Sequence, residues 1–352
     1  MYGKHVSDLP PDDGRAIPRG LVRPRTIVIG LAVGIPLSLL FLWLAVRGVR
    51  FSEVWDVMAG ANVALVIVSI PLLCSIFFFQ GRRWRALLGK DANLPVSDYV
   101  GLTVLGNGVS CVVPGRPGDL VRAVWFSRLA RLPVSRGLAS VGVDRAFDVI
   151  TLVVILLVCL PFVGHPPWLR TLAIIAGIIA VALLVILVLA WWYSHRSSQG
   201  QAWIESSADA GWIKRQAAGL VRGMATMNSL AQVAAVIAWS FAGWLAWTLG
   251  AWVLAFAIGV PLTVGGALFL CGVFGLGAAI PSAPGQIGTT QWLAVVGFAV
   301  LGVGKADALA FSVLLQLDTI VPTVLASPGA AWWLARRTPR RSRGAVHGPA
   351  AQ

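Results

Sequence analysis

The sequence predicts an all-α polytopic membrane protein, with six long transmembrane helices plus two re-entrant or broken segments, arranged as two inverted-topology repeats. Three observations carry this. The 352 residues are 57% hydrophobic and only 12% charged, with a mean hydropathy of +0.81, whereas about a quarter of a soluble domain is charged. Six apolar runs reach the roughly 20 residues that cross about 30 Å of hydrocarbon as helix. Finally, a Pro-x-x-Pro-Gly-x-[Leu/Ile] stretch occurs twice, at Pro114–Leu120 and Pro281–Ile287, 167 residues apart. Backbone broken by such a stretch near membrane depth must be covered by protein or line a wet cavity, because unpaired N–H and C=O groups cost several kcal/mol in hydrocarbon.

The chain opens with residues 1–25, rich in Pro, Gly, Asp and Arg without apolar period, which read as a disordered cytoplasmic tail. The first repeat, 26–163, holds the spans Thr26–Val46, Asn62–Gln80 and Leu138–Val163. The first span follows a basic stretch but exceeds a signal-peptide core and ends without a small-x-small cleavage pattern, so it is expected to stay as an anchor. Between the first two spans, Phe51, Val54, Trp55, Val57 and Met58 alternate with Glu53 and Asp56, the pattern of a short interfacial amphipathic helix. Arg82–Leu88 reads as an interfacial anchor after the second span. The segment around 98–131 pairs a short apolar run with the Pro114 break and a helical stripe at Leu120, Val121, Val124, Trp125 and Leu129. That run is short for a crossing, and basic residues flank it on both sides, so it is expected to re-enter from the cytoplasm.

The second repeat, 164–335, holds Leu169–Tyr193, Leu230–Gly259 and Ala306–Ala335, with a broken segment at about 264–303. Three spans precede it, so it is expected to lie inverted, its break opening from outside, as in secondary transporters. Residues 336–352 form a basic cytoplasmic tail.

The net charge of +14 raises the question of nucleic acid, but the basic residues argue against it: 23 of the 28 Lys/Arg fall in five segments flanking apolar runs. Placed in the cytoplasm, these segments make all six spans alternate and put both termini inside. Cys74, Cys111, Cys159 and Cys271 sit singly in apolar runs, and His5, His165, His195 and His347 form no ligand cluster, so neither a disulfide framework nor a metal is expected. Gly302-Val303-Gly304-Lys305 lacks the flanking residues of a nucleotide loop, and no catalytic triad stands out, so no cofactor is expected. Trp239, Trp244, Trp247 and Trp252 read as packing and interfacial residues.

Pro114, Arg116, Gly118, Asp119 and Arg122 lie at a loop-to-helix junction, where free N–H groups and the helix dipole favour an anion such as phosphate. Arg116 can add a bidentate contact, and Asp119 can cap the helix or orient an arginine. Asp144 and Asp148 share a helical face, with Arg145 beside them as a second phosphate contact. Asp318, near the middle of the last span with Gln316 close by, is expected to pair with an arginine, gate a cavity or carry a proton.

Together, Asn107…Pro114-Gly115-Arg116-Pro117-Gly118-Asp119…Arg122, Asp144-Arg145-x-x-Asp148 and Pro281-x-x-Pro284-Gly285-Gln286-Ile287-Gly288-Thr289 resemble the lysylphosphatidylglycerol synthase transmembrane-region family. The resemblance covers about Pro24 to Ala335 and implies lipid translocation; it does not bring an aminoacyl-transferase domain. Where relatives often carry a basic residue before the proline matching Pro322, this chain has Leu315, Gln316 and Asp318.

The expectation is therefore a flippase-like transporter of the bacterial cytoplasmic membrane, not an enzyme, moving an anionic phospholipid or polyprenyl phosphate. Asn107, Pro114, Arg116, Gly118, Asp119, Arg122, Asp144, Arg145 and Asp148 would hold the headgroup. Pro281, Pro284, Gly285, Gln286, Gly288, Gln316 and Asp318 would serve as gate or coupling residues. The alternatives are a membrane enzyme acting on a lipid phosphate and a scaffold for an envelope biosynthesis enzyme.

Overall fold

The computed structural model describes residues 24–89, 92–113, 117–163, 167–196, 221, 227 and 229–338. The predicted tails lie outside these residues except for their innermost positions. Helix α1 (Pro24–Val46) is followed by α2 (Phe51–Ala59), α3 (Val63–Cys74), α4 (Ile76–Leu88), α5 (Val96–Val112), α6 (Gly118–Ala130), α7 (Val134–Cys159) and α8 (Pro167–Arg196). Then come α9 (Leu230–Ala257), α10 (Val264–Gly277), α11 (Thr289–Val300) and α12 (Lys305–Arg337). No strand occurs among the described residues.

Five helical stretches are long and apolar enough to cross a membrane: Val63–Leu88, Val134–Phe162, Leu169–Tyr193, Leu230–Ala257 and Lys305–Arg337. A sixth candidate is the end of α1 taken with α2, which bends away from it by 81°. The predicted amphipathic helix is α2; it buries no side chain and leaves Phe51 and Trp55 exposed, as an interfacial segment requires.

The second span differs from expectation in two ways. It is interrupted at Ser75, one turn after Pro71, whose missing N–H already costs the helix its bond to the Ile67 carbonyl. It also continues past Gln80 to Leu88, which makes Arg82–Leu88 helix rather than a flanking anchor. Asn62 starts it, its side chain accepting from the N–H groups of Ala64 and Leu65.

Helix α12 runs alongside both broken segments. At its start, Lys305 Nζ donates to the carbonyls of Leu44 and Arg47 at the end of α1 (3.2 and 2.7 Å). At its last turn, Arg337 Nη1 donates to Asp98 Oδ1 at the start of α5 (2.8 Å). Helix α5 climbs from there, passing Ser327, whose hydroxyl donates to the Val104 carbonyl (3.3 Å). Helix α11 descends from the other end, with Phe298 against Phe311 (4.9 Å between centroids) and Gln291 against Gln316 (2.6 Å). The α5–α6 and α10–α11 pairs are thus helical hairpins approaching from opposite ends of α12. The loop between α10 and α11 reaches the end of α5: a Cβ at Gly285 would stand 3.8 Å from the Cys111 carbonyl oxygen and 3.0 Å from Ile320 Cδ1.

Hairpin α5–α6 closes because neither helix carries a side chain at the crossing. A Cβ built on Gly118 would lie 1.7 Å from the Gly106 carbonyl oxygen, a backbone atom that cannot step aside. Gly118→Ala is expected to destabilise the protein by about 1–3 kcal/mol or more, whereas Gly142→Ala, which meets nothing within 4 Å, is expected to be neutral or slightly stabilising. Thermal unfolding of the two variants in detergent checks this, and equal melting temperatures would contradict the close crossing.

The hairpin packs on aromatic side chains. Trp84, Tyr99 and Phe126 are fully buried, with Trp84 5.2 Å from Phe126 and 5.6 Å from Tyr99. This cluster carries α4, α5 and α6 as a unit at the end of the bundle where Arg82, Arg85, Arg136 and Arg337 also lie, hereafter the basic end.

Candidate functional site

The basic end holds a continuous arginine–aspartate network built from three elements. Helix α4 supplies Arg83, α6 supplies Asp119 and Arg122, and α7 supplies Asp144, Arg145 and Asp148. Arg83 donates through Nε to Asp144 Oδ1 (2.7 Å) and through Nη1 to Asp148 Oδ1 (2.6 Å). Arg122 Nη2 donates to the other Asp144 oxygen at 2.7 Å. Arg145 forks onto Asp119, Nε to Oδ2 at 3.0 Å and Nη2 to Oδ1 at 2.8 Å, and reaches Asp148 Oδ2 at 3.2 Å. Trp244 of α9 donates its indole N–H to Asp148 Oδ1 (3.0 Å), and the Arg122 guanidinium lies 4.8 Å over the Trp84 ring.

The i, i+4 spacing predicted from the sequence places both α7 carboxylates against Arg83. Three guanidinium groups face three carboxylates, so the network is neutral as it stands. It is graded in depth. The side chains of Arg83, Arg122 and Asp144 are 1% exposed, whereas those of Asp119 and Arg145 are 41% and 42% exposed. The inner part is held by charge pairing in a dry setting, and the outer pair is partly open to the surroundings. Asp119 lies on α6, which is not among the candidate spans; partial burial opposes its charge, but Arg145 and then Arg122 outweigh that and hold its carboxyl below the ordinary carboxylate range.

Not every donor is satisfied. Arg83 Nη2 and Arg122 Nη1 are buried and have no hydrogen-bond partner, and Arg122 Nε has only its 3.3 Å ion-pair contact with Asp119. Buried guanidinium donors ordinarily find acceptors. These two mark where oxygen atoms from outside the chain would be welcome.

Of the residues predicted to hold a headgroup, Asp119, Arg122, Asp144, Arg145 and Asp148 are brought together here. Pro114 and Arg116 lie outside the described residues. Gly118 sits at the hairpin crossing, its N–H donating to Ser110 Oγ (3.1 Å), and Asn107 spends its Nδ2 on the Thr103 carbonyl within α5 (2.8 Å). Arg122 is not an open anion contact, since it is buried and paired. Arg83 and Trp244 belong to the network although the sequence did not single them out.

The second loop forms a separate cluster at the other hairpin tip. Gly285 and Gly288 take φ of 66° and 87°, the left-handed region that glycine enters without strain, and Gln286 takes 57°. Gln316 Nε2 donates to the Gly285 carbonyl (2.9 Å), Gln291 Oε1 accepts from Gly288 N (2.7 Å), and Ala283 N donates to Ser38 Oγ on α1 (2.7 Å). Pro281 and Pro284 bracket this loop, with Pro284 opening its short 3-10 turn. Asp318 points elsewhere, to Ser69 of α3, and forms no ion pair among the described residues. A recess of about 240 Å³ at the end opposite the network is lined by apolar residues such as Phe162, Leu262 and Val300, with no charge to select a headgroup.

Residues 27–327 match the family described as lysylphosphatidylglycerol synthase TM region. The chain belongs to that family. Among curated relatives it is 26% identical over 346 residues to the protein named glycosyltransferase AglD of Haloferax volcanii, covering 88% of this chain and 55% of that protein. It is also 25% identical over 319 residues to UPF0104 membrane protein PH1989 of Pyrococcus horikoshii, covering 84% of this chain and 93% of the relative. The chain therefore spans about half the length of AglD. As a member of the lysylphosphatidylglycerol synthase transmembrane-region family, it carries the charge network and both Pro-Gly loops within the matched residues, apart from part of α12 beyond residue 327.

Proposed function

We propose that this protein moves an anionic lipid, either a phospholipid or a polyprenyl-phosphate-type lipid, across the cytoplasmic membrane. In this reading the basic end faces the cytoplasm, both termini lie there, and the two halves are inverted repeats. The observation that carries the proposal is the graded network, neutral inside and half open outside, with two buried guanidinium donors lacking acceptors. Asp119 occupies the fork of Arg145 as a carboxylate. A phosphate presents a similar pair of oxygens, with one negative charge in a phosphodiester and up to two in a phosphomonoester, so it can take the place of Asp119 and offer oxygens to the donors of Arg122 and Arg83. The end of α5 and the loop at Pro281–Gly288, in contact beside α12, would form the barrier the headgroup must pass, with that loop as its gate.

Vesicles containing the purified protein and a fluorescent anionic lipid test this. An impermeant quencher added outside should reach the inner-leaflet probe far faster than in protein-free vesicles, and faster than it reaches a zwitterionic analogue. Equal rates with and without protein would overturn the proposal. The name of the relative AglD favours a second reading, in which the protein acts on a lipid phosphate as an enzyme. Conversion of a polyprenyl phosphate by the purified protein alone would support it; conversion only beside an envelope enzyme would support a scaffold.

A further inference from the structure

Asp318 is 4% exposed, near the middle of the longest candidate span, and its Oδ2 lies 2.6 Å from Ser69 Oγ. The same hydroxyl oxygen lies 2.7 Å from the Val66 carbonyl oxygen. A serine hydroxyl has one hydrogen to give, and two oxygens at hydrogen-bond distance ask for it. Both contacts are satisfied together only when the carboxyl supplies a hydrogen of its own. Among the described residues no lysine or arginine pairs with this carboxyl group.

The surroundings bear this out element by element. Helix α3 presents Ser69 and Cys74, whose thiol lies 3.7 Å from the Asp318 carbonyl oxygen. Helices α9 and α11 contain no acidic, basic, cysteine or tyrosine side chain facing it, apart from Cys271 on neighbouring α10, which contacts Trp244. Asp98 of α5 is taken by Arg337 at the far end of α12, and Glu53 of α2 by Arg50; Asp56 of α2 is the remaining carboxylate on a helix packed against α12. The other charges of α12 itself, Lys305, Asp307, Arg336 and Arg337, stand at its ends.

Both helices carry a proline beside this contact. Pro322 has no N–H for the Asp318 carbonyl one turn earlier, which leaves that oxygen to the Cys74 thiol, and Pro71 has none for Ile67. A buried carboxyl bridging two proline-weakened helices is placed to change their separation when its charge changes.

We propose that Asp318 is a proton-binding site, holding a proton on Oδ2 toward Ser69 and releasing it to water when α3 and α12 part at Pro71 and Pro322. Release breaks the O–H bond, leaves its electron pair on the carboxylate and passes the proton to a water molecule. The charged carboxylate then needs that water, so the open arrangement of the two helices is favoured until a proton returns. The site itself stands on this geometry alone; coupling of the proton to lipid movement rests on the transport reading above.

Infrared spectroscopy of the full chain in lipid vesicles tests the site. At neutral pH the wild type should show a protonated-carboxyl C=O stretch that shifts in D₂O, persists in Asp119→Asn and vanishes in Asp318→Asn. Ser69→Ala should keep the band but move it to higher frequency, since the hydrogen-bond acceptor is gone. Absence of the band in wild type, or its survival in Asp318→Asn, would overturn the site, and so would its loss when sodium replaces potassium at constant pH, which would assign a metal cation instead. Coupling is read separately: a pH gradient should change the rate of anionic-lipid movement in wild type and have no effect in Asp318→Asn, and a persistent effect would overturn coupling. A band that behaves as expected in a protein that moves no lipid would support the proton site while removing the transport reading.

Discussion

Arg145→Ala is expected to slow translocation of an anionic lipid by about 10- to 100-fold while leaving the folded protein intact. The guanidinium of Arg145 makes the bidentate contact at the exposed edge of the network, where a phosphate would first be held. Charge-assisted hydrogen bonds of this kind contribute about 1.5–3 kcal/mol, which converts to that range of rates. Stability should change little. The pair it forms with Asp119 is two-fifths exposed and screened by solvent, so its loss is expected to cost no more than about 1 kcal/mol. Neither carboxylate is orphaned, because Asp119 keeps Arg122 at 3.3 Å and Asp148 keeps Arg83 at 2.6 Å. Arg145→Lys should recover only part of the rate, since an ammonium cannot present two parallel donors. Translocation assays on vesicles matched for protein content, paired with melting curves, check both halves, and a wild-type rate in Arg145→Ala would remove Arg145 from the site.

Asp144→Ala should do the reverse, costing about 3–5 kcal/mol of stability. Its two oxygens are divided between Arg83 and Arg122, and all three side chains are 1% exposed. Removing the carboxylate leaves one buried positive charge in excess: Arg83 keeps only Asp148 and Arg122 keeps only the longer 3.3 Å contact to Asp119, with no solvent to take the lost oxygens' place. Against a total stability of about 5–15 kcal/mol, that is enough to release the hairpin from the bundle, and the variant is expected to aggregate on extraction or to melt far below the wild type. Asp119→Ala is the matched control at the exposed edge and should melt within about 1 kcal/mol of wild type. Size-exclusion profiles after stepwise heating distinguish them; a wild-type melting temperature for Asp144→Ala would mean that the inner network does not hold α4, α6 and α7 together.

Most of the fold was legible because membrane helices announce themselves by length and apolarity. The six predicted spans coincide with described helices to within a few residues, apart from the second, where the boundary moved because Arg82, Arg83 and Arg85 were read as flanking charge. That reading also hid Arg83. Four basic residues after a span satisfy the positive-inside rule whichever way each side chain points, and only the continuation of α4 separates them: Arg82 turns to the Trp239 ring at 4.6 Å, Arg85 is exposed, and Arg83 turns inward. A signal was present in the helical spacing of Gln80, Arg83, Trp84 and Leu87 on one side. Trp244 was hidden differently, as one tryptophan among four whose ring faces sequence does not rank. The Asp144–Asp148 face was legible because i, i+4 geometry is local. Which cation those carboxylates meet was not, because that depends on α4 crossing α7, a contact between residues some 60 positions apart. Asp318 was legible as an ionisable residue at depth, open to pairing with an arginine, gating or carrying a proton; its contact with Ser69 depends on how α3 meets α12, which no local pattern gives. The second Pro-Gly loop lies against the end of α5, where Gly285 stands beside Ile320 and the Cys111 carbonyl.

The most direct measurement is a high-resolution density map of the full chain in discs of anionic lipid. The account predicts headgroup density within hydrogen-bond distance of the Arg145 guanidinium, with the Asp119 carboxylate displaced from its fork and Arg83 still on Asp144 and Asp148. An intact Arg145–Asp119 pair, with ordered anionic headgroups seated elsewhere on the protein, would contradict it.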